Sequence, residues 1–152
     1  IQPVINKQLT LLTASYGMRI HPFYKTLQSH QGVDYTIPEG SRVFATADGV
    51  VRDAAQRNST QGQTVVIDHG NGYETSYSHL SKINVRKGQT VRRGDIIALS
   101  GDTGLSLAPH LHYEVRLDGM RVDPIHYFFM ELTPTEYQRL MRIAQTGMQS
   151  FD

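Results

Sequence analysis

The sequence lacks cysteine, which excludes disulfides, cysteine nucleophiles and thiolate zinc fingers. It also lacks any apolar run near the ~18 residues that a transmembrane helix needs, so we expect no membrane span. Neither sign of charge dominates, because 15 Lys and Arg face 14 Asp and Glu. No strong global field is therefore available to hold nucleic acid or an anionic membrane.

What remains is a chain of 152 residues with 39% hydrophobic residues and no internal repeat. This size predicts one domain over residues 1–152, with one core, and we expect a monomer. The start of the chain, residues 1–4, lacks the basic head and apolar centre of a signal peptide. The chain is therefore either cytosolic or a mature or trimmed form, and the absence of cysteine suits the periplasm or cell exterior.

Short β-rich segments separated by turns run from about residue 43 to residue 117 and predict a mostly β, antiparallel domain. Gly49 is expected to form a bulge or bend in the first of them. Asn71-Gly72 between two β-rich segments predicts a hairpin. The predicted strands are 43–53, 64–68, 73–77, 95–100 and 111–117.

The C-terminal part has a different pattern. Thr133, Pro134 and Glu136 supply a helix cap, a proline at the first helical position and a capping-box glutamate. Apolar residues then recur at helical spacing, at Tyr137, Leu140, Met141 and Ala144. We predict one amphipathic α-helix over about 134–145, packed against the sheet.

His110-Leu111-His112 lies in a predicted strand. Strand alternation places His110 and His112 on one face with Glu114, and the apolar Leu111 and Tyr113 on the other. Both histidines should therefore point away from the core. One of them can bind a metal while the other reaches the neighbouring substrate atom; two exposed polar residues are the alternative reading.

His30 and Asp34 form a second candidate motif. In a straight strand they would lie ~13 Å apart, too far to share one ion, but Gly32 suits a sharp bend that brings them together. Combined with one histidine of the His-x-His pair, they form a plausible set of two histidines and one carboxylate. A catalytic zinc uses three protein ligands and keeps the fourth position for water, although the same set can hold iron(II).

His79 follows a predicted strand, and alternation would place it on one face with Thr75 and Tyr77. An unligated histidine near a metal could act as general base or stabilise a tetrahedral intermediate. We do not expect the other three histidines to bind metal, because their positions have simpler explanations: a hairpin turn, the residue before a proline, and an aromatic stretch, in that order. These are His69, His21 and His126.

Together these motifs resemble the lysostaphin-type (LytM domain) zinc endopeptidases, the peptidoglycan DD-endopeptidase-like proteins. The resemblance covers residues 16–124 in the family's order. In chain order the motifs are YGMRIHP at 16–22, HQGVD at 30–34, ADGVV at 47–51, HGNG at 69–72, YSHL at 77–80, VRRGD at 91–95, GDTG at 101–104, HLHYE at 110–114 and DP at 123–124.

The resemblance implies one Zn²⁺ held by His30, Asp34 and His112, with His79 and His110 as unligated catalytic histidines. It implies a small antiparallel β core, similar to a β-hammerhead, and a groove walled by loops at about 24–29, 57–62, 81–88 and 103–109. It also implies hydrolysis of peptide cross-links in peptidoglycan, of the D-Ala–diaminopimelate type by likeness to Gram-negative members, and a periplasmic or extracellular location.

Two alternatives stay open. A non-catalytic LytM domain could instead activate a separate cell-wall amidase, but such relatives lack metal ligands, and all three positions are filled here. A biotinyl- or lipoyl-type carrier has a similar β-hammerhead, and residues 88–95 look like that type. A carrier needs a lysine at a hairpin tip, whereas this hairpin presents Asn71-Gly72.

Overall fold

A computed structural model describes residues 1–5, 12–14, 17–20, 27–30, 32–58, 60–104 and 108–124, excluding the side chains of 12–14, 17–20, 27–30 and 57–58. Its elements are all strands. They are β1 (Leu12–Ala14), β2 (Gly17–Ile20), β3 (Leu27–His30), β4 (Val33–Thr36), β5 (Arg42–Phe44), β6 (Gly49–Asn58), β7 (Gly62–Gly70), β8 (Tyr73–Ile83), β9 (Thr90–Val91), β10 (Ile96–Ser100), β11 (His110–Leu117) and β12 (Met120–Val122).

Ten of these strands form one antiparallel sheet, with the main order β1-β4-β11-β8-β7-β6-β9. Strand β10 pairs with β5 and β8, and β12 pairs with β11. Strands β2 and β3 form a separate two-stranded sheet. The predicted mostly β, antiparallel fold is confirmed, and the predicted helix over 134–145 lies outside the described residues.

One face of the large sheet carries the hydrophobic core. Leu111, Tyr113 and Val115 of β11 are buried there, as the alternation of the sequence predicts. Neighbouring strands add residues of the same kind, and the ring of Tyr77 lies 5.3 Å from that of Tyr113 between centroids. The opposite face of β11 is therefore left for polar side chains, which is where the candidate site forms.

The hairpin predicted from Asn71-Gly72 joins β7 and β8. Asn71 has φ 53° and Gly72 has φ 85°, the left-handed backbone at both central positions that a type I′ turn requires. Asparagine and glycine adopt this conformation at low cost, so the turn follows from the local sequence.

The structure differs from the sequence predictions at Gly49 and at three of the four expected loop walls. Strand β6 begins at Gly49, and its register shift falls between Val51 and Asp53, so the extra residue is Arg52 and not the glycine. Strands extend into three predicted loop walls, at Leu27–His30, Gly49–Asn58 and Tyr73–Ile83. The walls were expected from the family resemblance, and the predicted strands 43–53 and 73–77 ended before them. Cross-strand pairing continues β6 to Asn58 and β8 to Ile83.

A chain of hydrogen bonds runs through the core from a histidine at its edge. His69 Nδ1 lies 2.8 Å from the carbonyl oxygen of Asp48, which can only accept, so this nitrogen carries the proton in neutral His69. His69 Nε2 then accepts from Thr75 Oγ1 at 2.6 Å. Because each hydroxyl has one hydrogen, Tyr77 then donates to Thr75, Thr46 donates to Tyr77, and Tyr113 donates to Thr46.

Protonation of His69 would place a second N–H against Thr75 and reverse this order. Burial is the largest influence on the pKa of His69 and lowers it below 6.5, despite the carbonyl of Asp48. A lowered folded pKa contributes stability that is present above pH 6.5 and is lost as the pH falls through the folded value.

We therefore predict that the free energy of unfolding, measured in urea between about pH 8 and about pH 5, decreases toward acid partly because of His69. His69→Gln keeps one donor and one acceptor but cannot titrate, so its pH slope should be smaller than that of the wild type. Identical slopes in the two proteins would show that His69 does not contribute.

Candidate active site

Strand pairing brings the candidate residues together on the face of the sheet opposite the core. On β11, His112 is paired with Asp34 of β4 on one side and with Ser78 of β8 on the other. His110 lies two residues away on the same strand face, and the residues Asp34, His110 and His112 are 0%, 0% and 4% exposed. The predicted His-x-His face is therefore correct, and both histidines are buried rather than solvated.

His112 lies between two carboxylates. Its Nδ1 is 2.8 Å from Asp34 Oδ1, and its Nε2 is 2.9 Å from Glu114 Oε2. His110 Nε2 lies 4.0 Å from the same Asp34 oxygen. One carboxylate oxygen of Asp34 is thus the point on which both histidines of the motif converge.

His79 reaches the same face of the sheet because of a β-bulge in β8. Between the pairs Gln63–Leu80 and Val65–Tyr77, β8 contains one residue more than β7, and His79 has φ 65°. Simple alternation placed His79 with Thr75 and Tyr77, and that prediction is wrong because the bulge turns it to the other face. Its ring centroid lies 4.5 Å from that of His110 and 6.3 Å from that of His112.

Backbone carbonyls orient both unligated histidine candidates. His79 Nδ1 lies 2.6 Å from the oxygen of Thr103, and His110 Nδ1 lies 2.8 Å from the oxygen of Ala108. Because a carbonyl oxygen only accepts, each neutral ring carries its proton on Nδ1 and its lone pair on Nε2. The two histidines are therefore both arranged as bases whose basic atom is Nε2.

Two of the predicted ligands, Asp34 and His112, are donors of the kinds that zinc binds. Zinc binds imidazole nitrogen and carboxylate oxygen at ~2.0–2.2 Å, so two ligands of one tetrahedral ion lie about 3.4 Å apart. The 2.8 Å between His112 Nδ1 and Asp34 Oδ1 needs to open by only about 0.6 Å to admit such an ion. Within the described ranges no three His, Cys, Asp or Glu side chains form a metal cluster, and the predicted third ligand, His30, is not tested because its side chain is not described.

The two strands that flank Gly32 belong to different sheets, and the bend predicted at Gly32 stays a prediction. Strand β3 ends at His30 and β4 begins at Val33. Gly32 lies so close to Tyr113 that a Cβ would collide with its carbonyl oxygen and would come within 2.9 Å of Glu114 Cγ. The glycine is therefore needed here for close packing against β11.

Glu114 and Arg121 belong to the site but were not identified as functional from the sequence. Glu114 Oε1 accepts a hydrogen bond of 3.0 Å from Arg121 Nε. Burial raises the pKa of Glu114, but the hydrogen bond and charge of His112, together with Arg121, outweigh it and lower the pKa to about 2. Alternation from His112 could have identified Glu114, whereas Arg121 required the β11–β12 register.

Comparison with known proteins adds the evolutionary relationship. The sequence profile described as peptidase family M23 matches residues 28–124, which is more than half of the chain. The chain belongs to peptidase family M23. This M23 chain is 48% identical over 105 residues to the peptidoglycan DD-endopeptidase ShyA of Vibrio cholerae, covering 69% of this chain and 24% of that protein.

Two solved structures share the fold of this M23 chain. A zinc-containing peptidase from Vibrio cholerae has a TM-score of 0.72 and 40% identity, covering 80% of this chain and 37% of that one. The catalytic domain of the antimicrobial peptidase lysostaphin from Staphylococcus simulans has a TM-score of 0.69 and 31% identity, covering 82% and 97%. The chain spans about a quarter of the length of the curated relatives it matches, between 22% and 28% for the first two.

Thr103 offers a test of how His79 is oriented. Its Oγ1 donates to the carbonyl of Leu80 at 2.7 Å and accepts from the backbone N–H of Gln63 at 3.1 Å, which fixes the carbonyl that holds His79. We predict that Thr103→Val lowers peptidase turnover by up to about 100-fold, because small misplacements of a catalytic group are costly.

Metal content should stay the same in Thr103→Val, since the predicted ligands Asp34 and His112 lie on other strands. Thr90→Val, at an exposed position on β9, is the matched control and should keep wild-type turnover. Steady-state kinetics together with elemental analysis measure both quantities. Wild-type turnover in Thr103→Val would contradict the orienting role.

Proposed function

We propose that this chain is a zinc-dependent endopeptidase domain that hydrolyses peptide cross-links of bacterial peptidoglycan, of the D-Ala–diaminopimelate type. The observation that carries the proposal is that His79, His110, His112 and Asp34 meet on one buried face of the sheet. Peptidase families place such groups where a scissile carbonyl must meet a metal, a base and an acid together.

The proposed roles follow from which atoms face the site. Asp34 Oδ1 and His112 Nδ1 would hold the ion, together with His30, which precedes Asp34 by four residues. His79 and His110 would remain unligated, as the family resemblance implies, and each would present Nε2 to the substrate because its Nδ1 is engaged by a carbonyl. A bound zinc ion supplies a Lewis acid that polarises the scissile carbonyl and acidifies water.

His79 and His110 would transfer the proton from the attacking water to the leaving amine. One Nε2 takes a proton from the water that attacks the carbonyl carbon, and the resulting imidazolium stabilises the oxyanion that forms. When the C–N bond breaks, that proton passes to the leaving amine, and the histidine returns to its neutral form. With ring centroids 4.5 Å apart, His79 and His110 are both near enough to the same reacting bond to share these steps.

The substrate is proposed from the relatives. ShyA of Vibrio cholerae is named a peptidoglycan DD-endopeptidase, and Mpg of Neisseria meningitidis is named a DD-carboxypeptidase/endopeptidase. We propose the same substrate class for this chain, and with it a periplasmic or extracellular location where peptidoglycan is found. Within the part of the chain that the structure describes, no helix is long and apolar enough to cross a membrane.

Substitutions should separate the metal ligands from the catalytic histidines. We expect Asp34→Ala and His30→Ala to lose both zinc and activity, because each removes a ligand. His110→Ala should keep its zinc and lose about 10²–10⁴ in turnover, the usual contribution of general acid–base catalysis.

Elemental analysis of the purified proteins and wall-lysis rates measure the two effects separately. Asp53→Ala, which removes an exposed carboxylate on β6, is the control and should change neither. Unchanged turnover in His110→Ala would refute its catalytic role. Full zinc content in Asp34→Ala would refute the ligand set.

The cross-link can be identified directly. We predict that the protein digests purified walls with direct D-Ala–diaminopimelate cross-links and leaves walls with glycine bridges intact. Mass spectrometry of the products and labelling of new amine ends should reveal a diaminopimelate amine. New glycine amines would overturn the proposed substrate, and no new amine in either wall would overturn the peptidase proposal.

A further inference from the structure

The carboxylate of Glu114 holds the hydrogen that His112 would keep when a metal binds beside Asp34. Glu114 is 3% exposed, and its Oε2 lies 2.9 Å from His112 Nε2. An ionised carboxylate has no proton to donate, so His112 Nε2 must carry the hydrogen of this bond. His112 Nδ1 lies 2.8 Å from a second carboxylate, Asp34, so without a metal it carries a hydrogen too. A metal shared with Asp34 would replace that hydrogen and leave the one on Nε2.

Glu114 is itself held from two sides. Arg121 Nε donates to Oε1 at 3.0 Å, and an Arg116 amino group lies 3.6 Å from the same oxygen. The two arginines face each other across the β11–β12 pair. A buried carboxylate without such partners would be strongly destabilising, so the arginines allow Glu114 to remain charged beside His112.

The packing around Glu114 leaves it little freedom. A Cβ on Gly32, the residue before β4, would come within 2.9 Å of Glu114 Cγ, so the backbone there packs closely against the glutamate. The same strand carries Asp34 two residues later. The carboxylate that orients His112 and the carboxylate that faces the metal position are therefore held in one rigid arrangement.

We propose that Glu114, supported by Arg121, is a positioning residue that keeps the proton of His112 on Nε2 and presents Nδ1 to the metal. This inference rests on the proposed zinc site. Carboxylates behind a metal-binding histidine orient the ring and raise its basicity, and removing one typically weakens metal affinity about 10–100-fold. Glu114 would then act through His112, without touching the substrate.

The wild-type protein provides the first test. Loading it with cadmium-113 and labelling its histidines with nitrogen-15 shows which ring nitrogen binds the metal, through the coupling between the two nuclei. We expect coupling to Nδ1 of His112 and a proton on its Nε2. Coupling to Nε2 of His112 would overturn the inference without any substitution.

A second test compares matched carboxylate-to-amide changes. Glu114→Gln should raise the zinc dissociation constant about 10–100-fold, measured by competition with a chelator. Arg121→Ala should raise it less, because the carboxylate remains. Glu74→Gln is the control and should leave zinc affinity unchanged. Glu74 lies on β8 and forms an ion pair with Arg52.

The outcomes separate a positioning role from a purely structural one. If Glu114→Gln lowers thermal stability but binds zinc with wild-type affinity, Glu114 is structural only and the inference is wrong. Equal weakening in Glu114→Gln and Glu74→Gln would also overturn it. If the wild type binds no zinc at all, the proposed function fails first, and the two failures are thereby distinguishable.

Discussion

The pairing of β11 between β4 and β8 is the interaction on which the site depends. Backbone hydrogen bonds place His112 directly opposite Asp34 on one side and Ser78 on the other. Since successive side chains of a strand alternate between faces, a slip of one residue would move both histidines into the core and the apolar residues onto the site. The burial of Leu111, Tyr113 and Val115 therefore stabilises the register that the site needs.

This arrangement buries polar and ionisable side chains, which costs desolvation free energy. Asp34, His79 and His110 have almost no exposure, and such groups are tolerated only when they have hydrogen-bond partners. The backbone carbonyls of Thr103 and Ala108 supply partners for the two histidines. The same contacts that reduce the cost of burial also determine which ring nitrogen is basic, so packing and chemistry are linked here.

His79 has an unfavourable backbone conformation that places its ring in the site. A non-glycine residue with φ 65° is sterically disfavoured, and the extra residue in β8 interrupts its pairing with β7. Strained backbone of this kind persists where the surrounding structure holds it, and it concentrates at functional positions. In this fold, the strain is what carries a histidine from the core face to the face of His110.

Local pattern alone was enough for the mostly β fold, the Asn71-Gly72 hairpin and the shared face of His110 and His112, because turns and strand alternation depend on neighbouring residues. The motifs also carried the resemblance that membership of peptidase family M23 confirms. Only the tertiary structure decided that His79 leaves its expected face, that Gly32 packs against β11 and that Arg121 reaches Glu114 beside His112. These features depend on register and bulges between segments far apart in the chain, and a single sequence does not encode such distances in any local pattern.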